Sequence, residues 1–67
     1  MVNIDAYILA QDDPFEYIYE GISGHHGNEV NDYLQEMYNQ VVIDYRFHPD
    51  DDFEEIIGRM IQIMEEV

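Results

Sequence analysis

The sequence predicts a mostly α-helical mini-domain. Three observations predict it: helix-capping punctuation at Asp13-Pro14 and at Asp50-Asp51-Asp52, apolar residues recurring at helical spacing between them, and a length of 67 residues, which admits one core at most. The expected architecture is an antiparallel helical hairpin over about 28–45 and 50–66, packed against a short N-terminal helical element in a single domain, 1–67. Cysteine is absent, so neither a disulfide framework nor a thiolate zinc site can staple the chain. A chain this short buries only about 60% of the surface that its unfolded form exposes. Unusually good packing, a metal or self-association must supply the rest.

The N-terminal stretch VNIDAYILA leads into Asp12-Asp13-Pro14. Asp13 stands at an N-cap position, Pro14 at the first helical position, and Glu16 three residues after the cap, a capping box with aspartate in the serine role. Phe15, Ile18, Tyr19 and Ile22 follow at i, i+3, i+4 and i+7, and Gly24 can end the run. Phe15, Tyr17 and Tyr19 also alternate with Glu16, Ile18 and Glu20 as a half-buried strand would. The alternative fold is therefore α+β, with an N-terminal β-hairpin turning at Asp12-Asp13-Pro14.

The next element is plainer. After the loop Gly24-His25-His26-Gly27, with Asn28 as the expected cap, Val30, Tyr33, Leu34, Met37, Tyr38, Val41, Val42 and Tyr45 mark one helical face. Within it, Val41-Val42-Ile43 also has strand propensity. Arg46-Phe47-His48-Pro49 makes the turn, because a residue before proline avoids the helical region. Asp50, Asp51 and Asp52 then supply the negative charge that a helix N-terminus favours, with Asp51 and Glu54 spaced as a second capping box. Phe53, Ile56, Ile57, Met60, Ile61 and Met64 carry the apolar stripe onward, and Met37, Met60 and Met64 are expected to pack in the core.

The outlying quantity is charge. Sixteen acids face only Arg46 and Arg59, with no lysine, for a formal net charge of −14. Such charge normally accompanies disorder, yet 46% of the residues are hydrophobic and include six tyrosines and three phenylalanines, enough to fold. Anionic lipid and nucleic acid are poor partners for this surface; a basic protein suits it. No apolar run approaches the roughly 20 residues of a membrane span. The start MVNIDAYILA lacks a basic region and places Asp5 before its apolar run, so a soluble, cytoplasmic protein without a signal peptide is expected.

Chemistry-bearing constellations are sparse. His25, His26 and His48 with the aspartate run contain enough ligands for a divalent metal, but adjacent histidines and one distant one make no recognised spacing. The aspartates lack the ligand order and central glycine of an EF-hand. No lysine, cysteine, phosphate-cradling loop or nucleophile elbow accompanies the carboxylates. Neither catalysis nor a cofactor is expected.

The acids do have a geometry. On the helix of 28–45, Glu29, Asp32 and Glu36 lie opposite the apolar face within about 60° of one another. Asp12, Glu16 and Glu20 step at i, i+4 and i+8, about 6 Å of rise each. Phosphates of one DNA strand advance about 3.4 Å per nucleotide along the axis and lie farther apart along the curved backbone, a comparable spacing. Asp50, Asp51, Asp52, Glu54 and Glu55 extend the pattern. Ile43 emerges between Asp32 and Glu36, and Tyr17 between Glu16 and Glu20, as apolar anchors within a charged rim. An acidic structural or assembly module, charged only for solubility, accounts for stripes of this kind too. It leaves the missing cations unexplained, since Glu55–Arg59 is the one i,i+4 pair that follows the favoured acid-before-base order.

In size, charge and lysine scarcity, over its whole length, the chain resembles the small acidic DNA-mimic proteins encoded mainly by bacteriophages. These inhibit restriction enzymes, uracil-DNA glycosylase or the histone-like nucleoid protein HU. The resemblance implies a binding protein that sets carboxylates in place of phosphates and occupies a basic DNA-binding protein. It brings no motif and no shared fold, so the partner-binding residues named above stand on helical geometry. A homodimer is also expected, because Ile63 beside Ile56, with Val67, widens the apolar face of the last helix unless the N-terminal segment covers it.

Overall fold

A computed structural model describes residues 3–66 of the chain. Four helices follow one another: α1 (Ile4–Leu9), α2 (Pro14–Ile22), α3 (Asn28–Tyr45) and α4 (Phe53–Glu65). Among the described residues there is no strand, so the N-terminal β-hairpin of the α+β alternative is not adopted. Local capping decides it. Asn3 Oδ1 accepts from the Asp5 and Ala6 amides at 2.9 and 3.4 Å, starting α1. Asp13 Oδ1 accepts from the Glu16 amide at 3.2 Å with Pro14 opening α2, as the sequence predicts. Val41-Val42-Ile43 likewise stays inside α3.

The core is built around α4. It touches α1, α2 and α3, and it contributes Ile56, Ile57, Met60 and Met64 to a buried cluster completed by Ile8, Ile18, Leu34 and Val41. The α3–α4 contact expected of a hairpin is present, but α4 serves the N-terminal helices as well. Consequently Ile56 is wholly buried within one chain and unavailable to a second copy. Ile63 is half-buried, and Val67 lies outside the described residues.

Two expected caps are made differently. Asn28 is the first residue of α3, after Gly27 at the N-cap position, and no side chain caps that end. Instead Asn31 ties the preceding loop down: its Oδ1 accepts from the His26 amide at 3.1 Å and its Nδ2 donates to the His26 carbonyl at 2.7 Å. Helix α4 starts at Phe53, not at 50, and the Asp51–Glu54 box does not form. The Asp51 and Asp52 amides donate back to the His48 carbonyl, at 3.1 and 2.8 Å, and Asp52 Oδ2 accepts from the His48 amide at 2.9 Å. A turn closed on His48 leaves Asp51 outside the helix.

Both long junctions use left-handed residues. Gly24 ends α2 at φ +87, its amide bonding the Gly21 carbonyl at 3.1 Å while His25 bonds that of Glu20 at 2.9 Å, a paired stop that glycine suits. Arg46 ends α3 at φ 56, with the Phe47 amide on the Val42 carbonyl at 3.1 Å. Its cation stands where the α3 dipole is negative.

Candidate functional site

Helix α3 is the element that fixes charge in space. Its 18 residues extend about 27 Å at 1.5 Å per residue, against a longest molecular extent of 33 Å, and contain no lysine, arginine or histidine. Glu29, Asp32 and Glu36 are all exposed on it. Ile43 is 68% exposed, the most of any large hydrophobic side chain described, as its place on the acidic face predicts.

The second stripe is less regular than its spacing suggests. Asp12 lies in the connection between α1 and α2, so it does not continue the helical series of Glu16 and Glu20. Glu16 is exposed and Glu20 half-buried. Tyr17 is not a free anchor. Its ring stacks on His26, with centroids 3.9 Å apart, and meets Tyr7 edge-on at 6.1 Å, while His26 Nε2 contacts the Tyr17 carbonyl oxygen at 2.8 Å. Burial, with Tyr7 beside it, pushes the Tyr17 hydroxyl above its ordinary range. A helical wheel of α2 alone gives no sign of this, because the covering ring comes from the loop beyond the helix.

In the α3–α4 turn, Asp50 and Asp51 are exposed, whereas Asp52 is half-buried and engaged with His48. Glu54 and Glu55 are exposed in the first turn of α4. Tyr38 sits close enough that burial, and then the charge of Asp50, raise its pKa. Arg59 donates to Gln62 Oε1 at 2.8 Å and lies over the Tyr45 ring at 4.7 Å, so its contacts are not with Glu55. Among the described residues, no group of three or more histidine or carboxylate side chains is placed to hold a metal ion. Among the described residues, no helix is long and apolar enough to cross a membrane.

One feature was not anticipated from the sequence. Between α3 and α4 an open groove of 460 Å³ has Tyr33, Met37, Val41 and Ile63 as its apolar lining. Glu36, Gln40 and Asp44 line it too, and Gln40 Nε2 donates to Asp44 Oδ1 at 2.8 Å. Those three step at i, i+4 and i+8, a ridge visible in the sequence. What converts the ridge into a groove wall is Ile63, whose position depends on how α4 packs. Glu36 belongs both to this wall and to the acidic stripe.

Tyr33 anchors the other end of the same face, donating its hydroxyl to Asp5 of α1. Burial foremost, then the hydrogen bond and the charge of Asp5, push its pKa from 10.0 to about 12. Because the folded chain keeps this proton longer than the unfolded one, the contribution is full below pH 10.0 and is lost as pH rises through about 12. Tyr33→Phe is expected to lower stability at neutral pH by about 1 kcal/mol. It should also flatten the alkaline decline, which chemical denaturation repeated from neutral to high pH would reveal. An unchanged alkaline profile would assign the decline to other tyrosines.

The chain matches no protein-family model, no curated protein and no solved structure.

Proposed function

We propose that the protein is a DNA-mimic binding protein, presenting carboxylates in place of phosphates to occupy and inhibit a basic DNA-binding protein such as a histone-like nucleoid protein or a DNA-processing enzyme. The observation that carries this reading is the exposed row Glu29, Asp32 and Glu36 on a helix without a single cation. From Glu29 to Glu36 the row covers about 10 Å of axis, the span of about three nucleotides of one strand. Glu16, Asp50, Asp51, Glu54 and Glu55 add exposed charge elsewhere on the surface. A solvated surface needs no such one-sidedness, since mixed charges keep a domain soluble and add helix-stabilising pairs. Ile43, exposed seven residues beyond Glu36 on the same helical sector, about 10 Å along the axis, supplies an apolar contact past the end of the row.

Displacement tests the proposal. Labelled duplex DNA bound to a histone-like nucleoid protein, and in parallel to other basic DNA-binding proteins, should be released by the chain, less effectively as salt screens the carboxylates. Absence of release from every one of them at low ionic strength would reduce the acidity to a solubility device of an assembly module. Arrangement is tested separately. Lys substitutions at Glu29, Asp32 and Glu36 should weaken binding at least about tenfold more than Lys at Glu65 and Glu66, where a fraying helix end holds its charges loosely. Equal losses per charge would show that net charge alone matters.

A further inference from the structure

Resting on the charge-mimic reading, we infer that the α3–α4 groove is the specificity pocket of the binding surface and takes an apolar side chain from a cationic segment of the protein partner. The groove sets an apolar lining and carboxylates in one concavity. Its apolar lining combines the Tyr33 ring with aliphatic and thioether side chains, and Met37 and Ile63 are both half-buried. Glu36 and Asp44, both exposed, lie eight residues apart on α3, about 12 Å along the axis. Gln40, between them, holds the Asp44 carboxylate by its amide. A leucine, isoleucine or phenylalanine flanked by lysine or arginine matches this order: the apolar side chain enters and the cations meet the two carboxylates.

Charge selects the occupant. A second copy of this chain would bring a net charge of −14 against an equal one, and α3 has no cation to relieve the contact. A nucleic acid repels the rim for the same reason. An uncharged apolar ligand would leave Glu36 and Asp44 unused. Phosphate mimicry by itself predicts attraction to any basic surface, whereas the groove adds a requirement for one apolar residue at a defined place. Methionine suits such a wall because its thioether adapts to different side-chain shapes.

The test uses two short lysine-rich peptides, identical except for a central leucine in one and serine in the other, titrated onto the whole chain. Removing a leucine from water stabilises by about 1.5–3 kcal/mol when burial is complete, so the leucine peptide should bind about tenfold or more tightly than the serine peptide. Gln40→Trp, which fills the groove from an exposed rim position, should abolish that preference, read as the ratio of the two peptide affinities on the same variant. Asn39→Trp, exposed one residue away and outside the groove lining, should leave the preference intact. Equal binding of both peptides to the unsubstituted chain would overturn the groove assignment and spare the charge reading; binding of neither would overturn both. A salt-dependent dimer in sedimentation equilibrium that Gln40→Trp dissolves would assign the groove to a second copy and overturn the proposal.

Discussion

Ile57→Ala is expected to leave most of the chain unfolded at room temperature in dilute buffer. Ile57 is fully buried on α4, which like α2 contacts all three other helices and which supplies four of the eight buried core residues. Truncating a buried isoleucine to alanine costs about 2–5 kcal/mol, as lost transfer energy plus the cavity left behind. A single core in a chain below about 70 residues rarely supplies more than about 3–5 kcal/mol altogether. Self-repulsion at a formal net charge of −14 draws on the same small margin. Urea titration followed by circular dichroism checks this, and added salt should recover part of the helix signal by screening the repulsion. A loss below about 1 kcal/mol would mean that α4 is not the centre of the core.

Two glycines in helix interiors should respond to alanine with opposite signs. Each lies where alanine is favoured over glycine by about 1 kcal/mol. At Gly58 a Cβ meets nothing within 4 Å, so Gly58→Ala should raise stability by about 0.5–1 kcal/mol. At Gly21 the added Cβ would lie 2.2 Å from Leu34 Cδ1 and 3.2 Å from His26 Cδ2. Leu34 is fully buried and has no free direction in which to retreat. The overlap outweighs the propensity gain, and Gly21→Ala should lose about 1–3 kcal/mol. In a Leu34→Ala background the same substitution should lose much less, and that double-mutant cycle isolates the contact. Equal effects of Gly21→Ala in both backgrounds would remove Leu34 as the cause.

The legible parts of the fold are those decided within one helix turn. Asp13-Pro14 opens α2 and Gly24 closes it, because a cap and a left-handed stop are properties of a few consecutive residues. The apolar series from Val30 to Tyr45 marks α3 for the same reason. The Asp51–Glu54 box fails because His48 competes for the same backbone groups, a rivalry that spacing alone does not rank. At the candidate site, the exposure of Glu29, Asp32, Glu36 and Ile43 follows from the wheel of α3. Tyr17 and the groove do not follow from any wheel. One is covered by His26 from a loop, and the other depends on Ile63 arriving from a different helix. Met37 shows the limit within a single residue: Met60 and Met64 are core, as their stripe predicts, while Met37 packs against the core only half-buried and lines the groove.

Arg59 lies over the ring of Tyr45 and Arg46 is the next residue, so both arginines of the sequence attach at the C-terminal end of α3. The sixteen acids are spread along the whole sequence, so arginine charge is confined to one place while carboxylate charge is not. A lopsided charge rotates in the field of a basic body while still separated from it, turning its cationic pole away. Orientation is thus partly settled during diffusion, and a larger share of encounters begins with the carboxylates foremost. The same arginines, in a surface so short of positive charge, act on the tempo of association before any contact is made.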